Sequence, residues 1–181
     1  RDSSQNMMEV AQSRAVQEVQ AAMVIAKKCP RDEQKSEDKI LKACERASLA
    51  EQAIYEYAKG GTKIEGPSIR LAETMARSWQ NMDFGVVELS QDDKESQVMA
   101  YAWDLENNVK QTKIFTVGHR FKSHGNFKTV DDPREVYELV ANQGARRLRA
   151  CILGIIPGDI QEKAVERCKK TLLGDSSVGT A

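Results

Sequence analysis

Residues 131–157 read DDPREVYELVANQGARRLRACILGIIP, a single helix with its start and stop signals written into it. Asp131 and Asp132 offer N-cap oxygens, and Pro133 suits the first helical turn, where its missing N–H would have had no partner. Gly154 and Pro157 mark the end. Between them Tyr137, Val140, Ala141, Gly144, Leu148, Cys151 and Ile152 recur at i, i+3, i+4 and i+7, which predicts one apolar stripe facing a core. Gly144 sits inside that stripe at a cost of about 1 kcal/mol in helix propensity. Close packing against a sheet explains it.

The opposite side of the helix carries charge. At about 100° per residue, Asn142, Arg146 and Arg149 project together, with Arg147 at the margin of the stripe. Such a face is either a solvated surface or a binding site for phosphate, and the surrounding charge bears on the choice.

The chain has 181 residues, enough for one domain with a sizeable core. Its formal charge is zero, with 27 basic against 27 acidic groups, but the distribution is uneven. Residues 61–109 hold 4 basic and 9 acidic groups, a net of −5; residues 110–149 hold 9 and 4, a net of +5. Residues 1–60 (10 and 10) and 150–181 (4 and 4) are balanced. The basic excess therefore surrounds the arginine-bearing helix.

Cys29, Cys44, Cys151 and Cys168 have no CxxC spacing and no zinc pattern with His119 or His124, so all four are expected to be reduced, buried thiols. No apolar run reaches the length of a membrane span and no signal peptide is visible, which gives the expectation of a soluble intracellular protein. The chain opens at Arg1 without a methionine, as a trimmed or partial chain would.

Along the chain, residues 3–28 form an amphipathic helix through Met8, Ala11, Ala15, Val19, Ala22, Met23 and Ala26, broken by Pro30. Its small, weakly apolar stripe suits contact with a neighbouring subunit. A charged linker covers residues 31–38, and a second helix covers 39–59, stopped by Gly60-Gly61. Residues 62–65 form a short strand, and residues 68–79 a helix with Ile69, Leu71, Ala72, Met75, Ala76 and Trp79 facing inward. Strands at 84–91, 97–106 and 109–117, with turns at Asp92-Asp93 and Asn107-Asn108, make a β-meander. Residues 119–129 read as a mobile loop or ragged hairpin. The last helix runs from Asp159 to Leu173, ended by Gly174, and a disordered tail covers 175–181. The order ααβαβββαα is an α+β arrangement: a helical region at 1–60, a meander-and-helix core at 61–158, and a C-terminal helix at 159–174.

Several chemistries compete. Gly61 and Gly66 have P-loop spacing, but Pro67, followed by Ser68, stands where Lys is required, so no lysine reaches the phosphates and this route to ATP is closed. His119 and His124 lack a third metal ligand of obvious spacing, and a polar loop is the simpler reading. Asp104 and Glu106 share a strand face, as in Mg²⁺-dependent nucleases, but at a strand end where carboxylates are ordinarily solvated. Lys110, Lys113, Arg120, Lys122 and Lys128 alternate with Phe115, Phe121 and Phe127, a pattern in which cations neutralise phosphates and rings stack unpaired bases. The alternative is a meander with one core-facing phenylalanine and solvated lysines.

Two runs carry a family resemblance. Residues 57–79, YAKGGTKIEGPSIRLAETMARSW, resemble the start of the Rad-fifty-two superfamily of single-strand annealing proteins, with its glycine-rich turn, Ile-Glu-Gly strand and Leu-Ala helix. Residues 143–154, QGARRLRACILG, are similar to that family's helix after the meander. The likeness covers about residues 55–154, in the same order, and is closer to phage or prophage members than to the eukaryotic proteins.

The resemblance implies an ATP-independent protein of homologous recombination that assembles into rings or helical filaments. It would bind single-stranded DNA in a basic groove and need no cofactor or metal. It also implies a cytoplasmic setting and, as further partners, an exonuclease or a host single-strand-binding protein. Arg146 and Arg147 match the family's paired basic groups, whereas Arg149 stands one residue earlier than the family's third. With Asn142, Lys110, Lys113, Arg120, Lys122 and Lys128 they are the expected DNA-binding residues. A nuclease built on Asp104 and Glu106, and a protective single-strand binder that does not anneal, are the rival expectations.

Overall fold

The structure, a computed structural model, describes residues 2–123 and 125–178, without the side chains of residues 2–5, 59, 122, 123 and 175–178. The expectations for His124 and for residues 179–181 fall outside the described residues.

Among its described side chains, helix α1 (Asp2–Lys28) buries apolar groups over its second half. Ala26 is buried and Val19, Ala22 and Met23 are half-buried, while Met7, Met8, Val10, Val16, Val24 and Ile25 stay exposed. Arg31 ties this end down. Its guanidinium forms a two-pronged pair with Asp104 at 3.1 and 3.2 Å, donates to the carbonyls of Trp79 (2.7 Å) and Gln80 (2.9 Å), and stacks 4.7 Å from the Trp79 ring.

The next forty residues depart from the sequence expectation. The charged linker is the start of a helix, α2 (Glu33–Ala43), because Asp32 caps it by accepting from the Lys35 N–H and because Ser36, Ile40 and Cys44 fall on one buried face. A short α3 (Ala47–Ala50) follows. The expected helix at 39–59 ends there, and its last part is a strand, β1 (Ile54–Lys59), paired antiparallel with β2 (Thr62–Pro67). Gly60 and Gly61, at φ 57° and 81°, form the two-residue turn between Lys59 and Thr62. Both positions require a left-handed backbone that glycine adopts without strain, so the pair makes a hairpin turn instead of a helix stop. The region 1–60 is thus not wholly helical, and from Ile40 onward it shares one core with the later helices.

Helix α4 (Ile69–Trp79) is capped by Ser68 and buries Leu71, Ala72, Met75, Ala76 and Trp79. The meander is as expected: β3 (Met82–Gln91), β4 (Glu95–Asp104) and β5 (Val109–Gly118) form an antiparallel sheet in that order, which makes the fold α+β. On β4, Ser96, Val98, Ala100, Ala102 and Asp104 alternate inward, and helix α5 (Pro133–Leu153) packs across that face. Asp132 caps α5 by accepting from the Arg134 N–H at 2.7 Å. The buried stripe of α5 is Val136, Val140, Gly144, Leu148, Cys151 and Ile152. Tyr137, expected within it, is 72% exposed, and Ala141 is also exposed. Gly144 packs on the sheet so closely that an added Cβ would lie 2.8 Å from the Val86 Cγ1.

Of the two expectations for residues 119–129, loop or hairpin, the hairpin is the one observed. His119 is buried with its Nε2 2.9 Å from the Ser96 hydroxyl, and β6 (Arg120–Ser123) pairs with β7 (Asn126–Thr129) in a separate hairpin. Helix α6 (Gly158–Val178) continues through Gly174, so the expected stop there and the expected tail at 175–178 give way to helix. It lies against α2 and α3 through Ala164 and Cys168. The neighbouring Cys168 thiol and burial together push the Cys44 thiol up. Cys29, expected to be buried, is exposed.

Candidate nucleic-acid interface

The outer face of α5 presents Asn142 and Arg146 to solvent, and among the described residues no carboxylate pairs with Arg146. Its two neighbouring arginines lean to opposite flanks, as their angles on the helix require.

On one flank, Arg149 reaches the β1–β2 hairpin, its guanidinium carbon 4.3 Å from the centre of the Tyr55 ring. Tyr57, two residues along the same strand face, lies 5.6 Å from Tyr55 at an interplanar angle of 39°. The two rings form a short aromatic ladder beside the arginines, and Tyr57 is 43% exposed. Sequence reading missed both tyrosines by assigning their segment to a helix. The signal that finds them is the alternation of Tyr55 and Tyr57 before a Gly-Gly turn.

On the other flank, Arg147 lies 4.7 Å above the Phe115 ring of β5 and donates to the Gln143 side chain and carbonyl. Arg147 therefore covers part of the sheet, and its charge faces outward less freely than that of Arg146. Lys113 sits on the same strand face, between Phe115 and Gln111, which packs against Gly154 at the end of α5. The structure thus brings Asn142, Arg146, Arg147, Arg149 and Lys113 together around α5.

The other expected residues lie elsewhere. Lys110 is on the opposite face of the sheet, its ammonium 4.7 Å from the Trp103 ring and 5.2 Å from Tyr101. Arg120 and Lys128 are on the β6–β7 hairpin, stacked on Phe127 (5.1 Å) and Phe121 (5.9 Å). That hairpin adjoins the N-terminus of α5, roughly 20 Å of helix from Arg147. Lys122 belongs to β6, and its side chain is outside the described ones.

Asp104 and Glu106 have partners within the fold. Asp104 is buried under the Arg31 guanidinium and also accepts from the Asn107 amide. Burial alone would raise its carboxyl pKa, but Arg31, Asn107 and the Glu106 N–H outweigh that and hold it below the ordinary value. Glu106 accepts from the Arg31 N–H and the Asn81 amide, each at 2.9 Å. Among the described residues no group of three or more His, Cys, Asp or Glu side chains is placed to hold a metal ion. The glycines at 61 and 66 lie at either end of β2, so they form no phosphate-cradling loop.

No helix among the described residues is long and apolar enough to cross a membrane. No family model, no curated protein and no solved structure matches the chain.

Proposed function

We propose that this chain binds single-stranded DNA and anneals complementary strands without ATP, as an oligomeric member of the Rad-fifty-two superfamily acting in homologous recombination. The observation that carries this reading is the contact of Arg149 with Tyr55, which sets an exposed arginine face beside an aromatic ladder. Guanidinium groups bind phosphate through a planar fork, and rings stack bases without regard to sequence. Together they suit an unpaired strand.

The work is physical. Complementary strands repel through their phosphates, and a basic surface screens that repulsion while keeping base edges free to pair. One subunit offers few contacts, so repetition along an oligomer supplies avidity. The three-stranded sheet supports such assembly, since β3 and β5 are edge strands that pair with no further strand among the described residues. A ring or filament would form by heterologous contact, with an exonuclease or a host single-strand-binding protein as further partners in a bacterial cytoplasm infected by a phage or carrying a prophage.

Mixing labelled complementary oligonucleotides without nucleotide or metal tests the reading. The expected result is duplex formation faster than the spontaneous rate. Slower formation would identify a protective binder, and strand cleavage on adding Mg²⁺ would identify a nuclease.

A further inference from the structure

A second cluster of arginines lies away from α5. Arg46, in the link between α2 and α3, and Arg70 and Arg77, on α4, line one cleft of about 350 Å³ with Ser48, Gln52 and Glu73. Arg70 and Arg77 are two helical turns apart on one face of α4, a separation of about 10 Å, and Arg46 approaches from the other wall. Nothing in the sequence joins them, and residues 61–109 are acidic as a whole.

The charge in this cleft is unbalanced. Elsewhere the fold pairs exposed cations across elements: Lys63 with Glu56, Lys163 with Glu37, Arg167 with Glu45. In the cleft only Glu73 is acidic, and it meets Arg77 at a loose 3.5 Å. Among the described residues no carboxylate pairs with Arg46 or Arg70. Three guanidinium groups with one carboxylate repel each other until an anion enters. Forked donors on two walls favour phosphate, and no aromatic side chain lines the cleft, so it offers nothing to stack a base.

Its position links it to the site on α5. Gln52, on the rim, is pinned by the Ser68 hydroxyl donating to its carbonyl, and lies three residues before Tyr55. Three extended residues span at most about 11 Å. We infer that this cleft is a second phosphate-binding site, which takes the backbone of single-stranded DNA beyond the contact of Arg149 with Tyr55. The inference rests on reading that contact as a single-strand site.

The test compares wild type with a variant carrying Arg46→Gln, Arg70→Gln and Arg77→Gln, all exposed positions where glutamine keeps the stem, with a thermal melt to verify folding. Binding is measured against salt on a long oligothymidylate. On the long strand the slope of log affinity against log salt should fall by about 2, three contacts at roughly 0.7 each. An unchanged long-strand slope overturns the inference, and an unchanged slope with a smaller oligomer would assign the cleft to carboxylates of a second copy. If wild type binds no single strand, the reading of α5 fails separately and pyrophosphate decides. A thermal shift with pyrophosphate that the triple variant lacks keeps a phosphate site in the cleft; no shift in wild type removes it.

Discussion

Arg149 and Tyr55 meet face to guanidinium at 4.3 Å, joining the helix that carries the basic face to a hairpin distant in sequence. The contact both orients the arginine and holds the ring beside it. Tyr55→Ala is therefore expected to lower affinity for single-stranded DNA by roughly 1–3 kcal/mol, the range for one stacked base, while Tyr55→Phe retains it. Fluorescence anisotropy with a labelled oligonucleotide measures both. Equal binding by wild type and Tyr55→Ala would detach the hairpin from the site.

Gly144 is where α5 comes closest to the sheet. An alanine Cβ there would stand 2.8 Å from Cγ1 and 3.2 Å from Cγ2 of Val86, so turning the valine does not clear it. Overpacking of this kind costs about 1–3 kcal/mol, against about 1 kcal/mol gained in helix propensity. Gly144→Ala should lower the melting temperature, and Val86→Ala in the same chain should restore it. A Gly144→Ala chain at least as stable as wild type would contradict this packing.

Arg31 and Asp104 form a buried pair, with side chains only 4% and 7% exposed. Removing one partner of such a pair costs about 3–5 kcal/mol, so Arg31→Ala should melt far below wild type. The carboxyl of Asp104 is held below its ordinary value of 3.8 in the fold. As pH falls, the unfolded chain takes up this proton first, so the stabilisation is present above pH 4 or so and lost as pH falls below it. Denaturant titrations over that range should show a steeper acid loss for wild type than for Asp104→Asn. Parallel acid profiles would remove Asp104 as the cause.

The sequence made α5 legible because local chemistry decides it: Asp132 caps, Pro133 fits the first turn, and Gly144 marks the close approach. The meander was equally readable from its strand-like runs and the turns at Asp92-Asp93 and Asn107-Asn108 between them. Residues 31–59 were misread because Gly60-Gly61 serves equally as a helix stop or a hairpin turn, and pairing with β2 decides between them. The site was half visible. Arg146 and Arg149 follow from helical periodicity, but Tyr55 depends on tertiary contact, as does the arginine cleft between α3 and α4. Lys110 was grouped with Lys113 by proximity in sequence, although an odd difference along a strand separates them to opposite faces, as Lys110 and Lys113 are.

Assembly is testable without DNA chemistry. Light scattering at micromolar concentration should give a multiple of 20.2 kDa, because two edge strands and the exposed apolar side chains of α1 find no partner among the described residues. A mass of 20.2 kDa with and without oligonucleotide would leave α1 and the sheet edges to be explained within a monomer.

The most direct test of the central claim is the salt dependence of single-strand binding by wild type and by a chain carrying Arg146→Ala and Arg149→Gln. Arg146 points to solvent, and glutamine at position 149 keeps the aliphatic stem over which the hairpin packs, so the variant should fold as wild type does, which a thermal melt verifies. Two lost phosphate contacts should weaken binding at low salt and flatten the slope by about 1.4 log units per decade. A folded variant that binds single-stranded DNA with the wild-type affinity and slope would contradict the account.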